Sequence, residues 1–218
     1  MTAGAKRKLL AELYRKLHDR YGECGCPLEH ASPFQLLAAV MLSAQCRDER
    51  VNQVTKELFA VAPDAASTAA LPVERIAEII RPCGLFENKS RHLHEAAVAL
   101  MERFGGEVPR TMEELTSLPG IGRKSANVLL GNAFDTPGFP VDTHVKRLLN
   151  RIGFADSDSP ETIEREVNAH LAPEYWSQFS HLLIQHGRQV CSAAKPRCGE
   201  CAIAGCCRRR GVAPQKTR

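Results

Sequence analysis

Four cysteines near the C-terminus have the spacing of a metal-binding loop. Six residues separate Cys191 from Cys198, two separate Cys198 from Cys201, and five separate Cys201 from Cys207. Four thiolates within seventeen residues satisfy either zinc or an iron–sulfur cluster, and the spacing alone leaves both open. We read no secretory signal. The chain has nine cysteines in 218 residues, and in a reducing compartment clustered cysteines indicate metal binding or catalysis rather than disulfides.

A second chemical feature is the turn in residues 118–126, which read Leu-Pro-Gly-Ile-Gly-Arg-Lys-Ser-Ala. A short helix is predicted to end at Leu118 and a longer one to begin at about Arg123. Between them a proline fixes one φ, and Gly120 and Gly122 permit positive φ, so the turn can direct backbone amides outward. Such amides at a helix start hold a phosphate, and the basic pair that follows favours this interpretation over an ordinary helical hairpin.

The turn and the segment at residues 140–145, Pro-Val-Asp-Thr-His-Val, resemble the helix–hairpin–helix and the following loop of the DNA glycosylase superfamily. The Gly-Arg-Lys order at residues 122–124 resembles the endonuclease III branch in particular. This resemblance runs from residue 32 to residue 207. It implies a bifunctional DNA glycosylase and abasic-site lyase of base excision repair that removes oxidised pyrimidines. The implied partner is double-stranded DNA with damaged bases or abasic sites, bound by a monomer.

The resemblance assigns the role of nucleophile to Lys124. An amine that attacks the sugar C1′ gives a Schiff base, and β-elimination then cuts the strand 3′ of the sugar. Lys124 falls in the first turn of a predicted helix, where the helix dipole and partial desolvation disfavour the ammonium form. On spacing alone, a lysine that pairs with a backbone phosphate is an equally good interpretation.

Asp142 has two expected roles that do not exclude each other. It precedes a predicted helix, so it is expected to be the N-cap. It is also expected to face the sugar, stabilise positive charge as the base leaves and relay protons. The helix at 123–134 carries the chain about 16–18 Å away, and residues 135–141 can span at most about 25 Å, so the chain can return to Lys124. His144 is either a phosphate contact or a helix-surface histidine.

The resemblance also decides between the metals. All three intervals are similar to the endonuclease III cluster loop, which implies that the four cysteines named above hold a [4Fe–4S] cluster. The adjacent Cys206 is then an extra thiol. Lys195 and Arg197 lie in the longest interval, where a loop fixed at both ends presents its charges to phosphates. The arginine run at 208–210 is either a further contact or a solvated, partly disordered tail.

A glycosylase must extrude its target nucleotide and fill the gap, and the resemblance implies which residues do so. Gln45, at the end of an apolar helix, is similar to the gap-filling glutamine of the family. Leu85, after a glycine in a turn, matches its wedge leucine, with core packing as the alternative. Asp48 resembles a carboxylate of the base pocket, or else caps the next helix. Cys24 and Cys26 receive no role.

The apolar periodicity places these residues on helices, so we predict an all-α fold without strands. The predicted helices cover residues 5–20, 34–43, 48–61, 73–81, 87–105, 111–117, 123–134, 142–152, 160–171 and 174–189. The resemblance implies two helical domains that flank a DNA-binding cleft, with Lys124 on one lip and Asp142 on the other. Residues 27–137 would form a six-helix barrel with the hairpin. Residues 1–26 would pack with residues 138–218, which hold the iron–sulfur cluster.

Composition excludes other classes of protein. Hydrophobic residues make up 44% of the chain, too many for a disordered protein, and the net charge of +4 does not by itself establish DNA binding. No apolar run reaches the length of a membrane span, so a cytoplasmic, nucleoid-associated location of bacterial type is expected. Two alternatives compete with the lyase. One is a monofunctional mismatch glycosylase, against which Lys124 argues, and the other is a non-enzymatic DNA-binding module with a zinc knob.

Overall fold

The computed structural model of the chain describes residues 1–134 and 136–213. Within them lie eleven α-helices and four short 3₁₀ turns, with no strand, so the predicted all-α class is confirmed. The helices are α1 (Ala3–Tyr21), α2 (Pro33–Leu42), α3 (Asp48–Val61), α4 (Ala65–Ala70), α5 (Val73–Ile80), α6 (Phe86–Phe104), α7 (Met112–Thr116), α8 (Arg123–Ala133), α9 (Thr143–Ile152), α10 (Pro160–Asn168) and α11 (Trp176–Gln189). None of the helices in this described part combines the length and the apolar character of a membrane span.

Contacts divide the chain into two compact units. One unit is Cys26–Thr136, which holds α2 to α8. The other joins Met1–Gly25 to Pro137–Arg218, and it holds α1 and α9 to α11. Each unit has its own buried apolar cluster.

Helix α2 lies at the centre of the unit Cys26–Thr136. Eight of its ten residues are buried, and it packs against α3, α6 and α8. Ser32 caps it by accepting the Gln35 amide at 3.2 Å, and Pro33 occupies the first turn, which confirms the predicted start. This buried apolar helix therefore supports the three helices that pack around it.

Helix α4 was not expected, because residues 65–70 are small and have no apolar periodicity. Its start is determined by a capping box instead. The Asp64 carboxylate accepts the Ser67 amide at 2.8 Å, and the Ser67 hydroxyl accepts the Asp64 amide at 3.3 Å. Local hydrogen bonding and packing against α6 therefore produce a helix that hydrophobic pattern does not indicate.

The second unit is built around α11, which packs against α1 and α9. Leu10, Leu13 and Leu17 follow one face of α1 and are fully buried. The rings of Phe139 and Phe179 stack with their centroids 6.0 Å apart in the same core. The N-terminal helix therefore shares its core with the helices that precede the cysteine loop.

Candidate active site and cysteine pocket

The turn between α7 and α8 is built around Gly120. This residue has φ +76°, and a Cβ added to it would lie 2.9 Å from Met41 Cε and 3.0 Å from His92 Cβ. Backbone conformation and packing thus both require glycine here. The Ile121 amide donates to the Leu118 carbonyl at 3.2 Å, and both side chains are buried. These contacts hold the loop in one conformation.

The start of α8 is suited to an anion. Gly122 is the N-cap, with φ −95°, and a Cβ there would meet nothing within 4 Å. Glycine has no side chain to accept the amides of the first turn, so these amides need an acceptor from outside the helix, such as a phosphate. Gly122, Arg123 and Lys124 are all exposed, so a ligand can reach this end of the helix.

Lys124 is the second residue of α8, which confirms its predicted position in a first helical turn. Its side chain is exposed. The expected partial desolvation is therefore not supplied by the hairpin, because the turn leaves the amine in solvent. A bound partner has to exclude water from it.

Asp142 caps α9 in the other unit. Its Oδ1 accepts the His144 amide at 2.8 Å and the Val145 amide at 2.9 Å, so the predicted N-cap is confirmed. Oδ2 has no hydrogen-bond partner among the described residues, and the side chain is only partly buried. One oxygen can therefore hold the helix while the other faces a ligand.

His144 is held between α9 and α11. A Cβ on Gly187 would lie 2.9 Å from His144 Cβ, which shows how closely the two helices approach. Arg147 Nη2 donates to His144 Nδ1 at 3.1 Å, and burial lowers the pKa of His144 below its ordinary value. A neutral ring that accepts at Nδ1 carries its proton on Nε2, which can donate to a phosphate.

Two turns of the unit Cys26–Thr136 hold a non-glycine residue in the left-handed region. Gln45 has φ +54° and follows α2, and Leu85 has φ +49° and precedes α6. Gln45 is exposed, and Leu85 is 57% exposed, which excludes core packing as its role. Each such conformation costs on the order of 1–3 kcal/mol, so the surrounding contacts have to maintain it.

Asp48 does not cap α3. The N-cap is Arg47, and Asp48 is the first helical residue, partly buried. Its carboxylate thus lies in the first turn, where the helix dipole favours a negative charge.

Lys89, which the sequence analysis did not single out, connects the turns that carry Gln45 and Leu85. It is 7% exposed, and its Nζ donates to the carbonyls of Leu42 and Cys83, each at 2.9 Å. The spacing of residues in the sequence does indicate that Lys89 is buried. Lys89 lies four residues before the buried Leu93, so it falls on the apolar face of α6.

The four cysteines of the C-terminal loop line one pocket. Its remaining wall is mainly apolar and includes Leu148, Ile152, Val190 and Ile203. All the lining residues belong to one unit. The predicted loop thus directs its four thiols toward a common space.

Burial affects two of the four thiols, those of Cys201 and Cys207. It raises the pKa of Cys201 to about 11 and also raises the pKa of Cys207 above its ordinary value. Metals bind the thiolate, so a cationic centre has to compensate for the removal of this charge from water. Such thiols are poor free nucleophiles and suitable ligands.

Side chains from the helices fix the loop around the pocket. Arg147 donates to the Cys191 carbonyl at 3.0 Å, and Arg151 donates to Cys191 Sγ at 3.4 Å. His186 Nε2 lies 3.3 Å from Cys201 Sγ, and its Nδ1 lies 2.8 Å from the Tyr21 hydroxyl. Hydrogen bonds of this kind orient ligands and adjust the electron density on sulfur.

The basic residues of the loop differ in their surroundings. Lys195 is exposed, and its backbone forms a tight turn with Ser192. Arg197 is also exposed, but it pairs with Glu200 at 3.0 Å and donates to the Gln189 carbonyl. A phosphate would therefore compete with Glu200 for Arg197, whereas Lys195 has no ion pair among the described residues.

The arginine run at 208–210 is not a free tail. The Arg208 amide donates to the Ile152 carbonyl at 3.1 Å, and the Arg210 amide donates to the Arg151 carbonyl at 2.9 Å. Both bonds attach the run to the end of α9. The backbone of the run is thus ordered at these two residues, while the side chains of Arg208, Arg209 and Arg210 are exposed to solvent.

Zinc and an iron–sulfur cluster place different demands on four cysteines. A zinc ion would hold four sulfurs about 2.3 Å from one point. A polynuclear cluster binds each cysteine at a different metal, so its ligands lie further apart. Across residues 1–134 and 136–213, no three His, Cys, Asp or Glu side chains are gathered closely enough to hold one metal ion.

The amino-acid sequence is similar to those of known DNA-repair proteins. Residues 38–173 match the family model described as HhH-GPD superfamily base excision DNA repair protein. The endonuclease III of Synechocystis sp. is 45% identical over 204 residues, which cover 93% of each chain. The endonuclease III of Escherichia coli (strain K12) is 39% identical over 196 residues, 90% of this chain and 93% of the relative. This chain belongs to the endonuclease III family.

Solved structures agree with this family. A non-covalent endonuclease III–DNA complex has a TM-score of 0.88 at 39% identity and covers 96% of each chain. A trapped endonuclease III–DNA covalent intermediate gives the same TM-score and identity, and covers 96% of this chain and 97% of that one. A thermostable thymine-DNA glycosylase, 19% identical with a TM-score of 0.85, shares the fold alone.

The HhH-GPD family model covers some candidate residues and not others. Lys124 and Asp142 both fall within residues 38–173, whereas the pocket cysteines lie beyond it. Their assignment as ligands therefore depends on the pocket itself and on the spacing that resembles the family loop.

Proposed function

We propose that this endonuclease III family enzyme removes oxidised pyrimidines from double-stranded DNA and cuts the strand at the resulting abasic site. The observation that carries this proposal is the exposed Lys124 in the first turn of α8, directly after a hairpin suited to phosphate. A 39% identical relative that was trapped as a covalent intermediate with DNA supports nucleophilic chemistry.

In the proposed reaction, Lys124 Nζ attacks C1′ of the damaged nucleotide. The glycosidic bond breaks, and the base leaves with the bonding electrons and takes up a proton. Opening of the sugar gives a Schiff base, and loss of a C2′ proton with the 3′ phosphate cuts the strand. DNA that covers the hairpin would exclude water from the exposed amine.

Asp142 is the proposed carboxylate partner in this reaction. Its Oδ1 is used by the amides of His144 and Val145, while Oδ2 has no partner among the described residues. Oδ2 would stabilise positive charge that develops on the sugar and would accept the proton that the amine releases. The two bonds at Oδ1 fix the carboxylate before substrate binds.

The remaining contacts position the DNA. The backbone of the hairpin, from Leu118 through Gly120 and Gly122 to Arg123, would hold a phosphate. Gln45 and Leu85 would fill the gap left by the extruded nucleotide, because both project from strained, exposed turns. Three further roles rest on the family resemblance and on the positions of charged or polar side chains. Asp48 would line the base pocket, His144 would contact a phosphate through Nε2, and Lys195 with Arg197 would contact the backbone.

We propose that the four pocket cysteines, Cys191, Cys198, Cys201 and Cys207, hold a [4Fe–4S] cluster. When bound, the cluster would cross-link the loop and so hold Lys195 and Arg197 in place for DNA. Cys206 is not one of the proposed ligands. The support is the common pocket, the spacing, and the raised pKa of Cys201 and Cys207, whose thiolates a cationic centre would stabilise.

We also propose a monomer that acts on chromosomal DNA in the bacterial cytoplasm, in association with the nucleoid. The similar curated relatives are bacterial, and bacterial DNA lies in the cytoplasm. Every residue assigned to the reaction comes from one chain.

Borohydride trapping on a panel of duplexes tests the substrate class. Each duplex carries an oxidised pyrimidine, a mismatched adenine, a mismatched thymine or no lesion, in one sequence context. We expect a covalent adduct with the oxidised pyrimidine and none with the undamaged duplex. Excision confined to the mismatched bases, with no adduct, would indicate a monofunctional mismatch glycosylase instead.

A further inference from the structure

Lys89 is an unusual residue for the interior of the unit Cys26–Thr136. Its ammonium group is almost completely buried, and within the described part of the chain no Asp or Glu forms an ion pair with it. Burial accordingly lowers its pKa. A lysine is rarely buried without a charged partner, since removal from water is unfavourable. An apolar side chain at this position of α6 would avoid that penalty.

The two carbonyls that accept hydrogen bonds from Lys89 both lie at the C-terminal end of a helical segment. Leu42 is the last residue of α2, and Cys83 is the last residue of the 3₁₀ turn Arg81–Cys83. Carbonyls at a helix C-terminus lack an intrahelical amide and carry partial negative charge, so a cation is favourable there. One ammonium group therefore caps two helical segments, with a 2.9 Å hydrogen bond to each.

Both capped segments lead directly into a strained, exposed residue. Gln45 follows Leu42 by three residues, and Leu85 follows Cys83 by two. The backbone of Lys89 adds a third contact, because its amide donates to the Leu85 carbonyl at 3.1 Å. The two residues assigned above to the gap in DNA are thus connected through a single side chain.

Building on the proposed function, we propose that Lys89 is a positioning residue that couples Gln45 and Leu85, so that both enter the DNA as one rigid unit. Its N–H groups fix the carbonyl that precedes each turn, and this fixes where each turn begins. Without these two hydrogen bonds each turn can still form, but its position relative to the other turn is no longer fixed.

The test combines Lys89→Met with Gln45→Ala and Leu85→Ala. Methionine fits a buried site of similar length but offers no N–H donor. Single-turnover excision of an oxidised pyrimidine is measured for the two single alanine variants and for the double alanine variant. These three variants are made in the wild-type enzyme and again in the enzyme that carries Lys89→Met. The rate of each variant is divided by the rate of the enzyme in which it was made. In the wild-type background we expect non-additive losses, with a coupling of about fivefold or more, as is usual for residues that share partners.

In the Lys89→Met background, the factor by which the double alanine variant slows excision should equal the product of the factors for the two single variants. Lys89→Met alone should slow excision from a stable base pair about tenfold, the factor expected if misaligned turns forfeit part of the extrusion energy. It should leave borohydride trapping at an abasic site in single-stranded DNA unchanged, because no base has to be extruded there. Coupling that persists without the Lys89 amine would overturn the proposal.

A matched variant separates positioning from stability. Leu93→Ala, one turn further along α6, removes a fully buried side chain and should lower the melting temperature more than Lys89→Met does. It should slow excision from the paired lesion and trapping at the single-stranded abasic site by the same factor. If Lys89→Met behaves in this way too, its role is only structural. If Lys89→Met does not fold, Lys89→Leu, which is also apolar and offers no N–H donor, should give the same selective loss.

Failure of the proposed function has a different signature. In that case the wild-type enzyme would give no adduct with single-stranded abasic DNA, and neither Gln45→Ala nor Leu85→Ala would alter excision. The coupling is refuted, with the proposed function intact, if the wild type is trapped and both alanine variants are slowed but the coupling between them persists in the Lys89→Met background.

Discussion

Asp142→Asn separates catalysis from capping at a residue where the structure supports both. The amides of His144 and Val145 donate to Oδ1 at 2.8 and 2.9 Å. Asparagine retains this acceptor and caps about as well as aspartate. Only the negative charge is lost, and its favourable interaction with the start of α9 amounts to about 0.3–1 kcal/mol. The melting temperature should therefore fall by no more than about 2–4 °C.

The expected effect on catalysis is much larger. Loss of a positioned charge or proton-transfer group lowers the rate about 10²–10⁴-fold, which corresponds to about 2.7–5.4 kcal/mol of transition-state stabilisation. The assay is single-turnover excision from a duplex with one oxidised pyrimidine, alongside thermal unfolding and DNA affinity. Affinity should change little, because it derives from many phosphate contacts.

Asp64 supplies the matched control, since it caps α4 by accepting the Ser67 amide at 2.8 Å and has no proposed role in the reaction. Asp64→Ala and Asp142→Ala should each lose about 0.5–2 kcal/mol of stability from the missing cap. Only the change at Asp142 should also slow excision. Full activity of Asp142→Asn would mean that this carboxylate is a cap and nothing more.

Two further predictions concern the hairpin and the cysteine pocket. Gly120→Ala should lower stability by more than about 1 kcal/mol and weaken DNA binding, because φ is +76° and the new Cβ would lie 2.9 Å from Met41 Cε. Gly122→Ala, whose Cβ would meet no atom within 4 Å, should lower stability less than Gly120→Ala, because only the N-cap preference for glycine over alanine is lost, so equal losses would refute this account of the turn. Anaerobically purified protein should contain about four iron atoms per chain, as expected for a Cys₄-bound [4Fe–4S] cluster. Cys198→Ala should abolish the iron and Cys206→Ala should not, whereas stoichiometric zinc without iron would contradict the assignment.

The sequence predicted those features of the fold that local signals determine. Ser32 and Pro33 define the start of α2, and the apolar spacing of α1 gave its buried face. Helix α4 was missed because a capping box between Asp64 and Ser67, rather than apolar periodicity, produces it. Residue types and spacing therefore indicate long amphipathic helices more dependably than short capped ones.

The candidate site was predictable to a different degree at each residue. Asp142 was expected to be an N-cap, because an acidic residue before an amphipathic helix is a local signal. The exposure of Lys124 was not expected, since the sequence does not show how far a turn projects. The bonds from Lys89 to two carbonyls depend on tertiary structure, because the acceptors lie 47 and 6 residues away along the chain. Pattern alone places a residue on a helix face and does not identify its partners.

The central claim is that Lys124 is the nucleophile, and trapping with residue-level mapping tests it most directly. The wild-type enzyme and Lys124→Gln are each incubated with an oxidised-pyrimidine duplex and borohydride, and the adduct is digested and mapped by tandem mass spectrometry. The wild type should give a reduced adduct on the peptide that contains Lys124. Lys124→Gln should bind the duplex with nearly wild-type affinity, form no adduct and excise almost no base. A normal adduct with Lys124→Gln, or an adduct mapped to another lysine, would contradict the account.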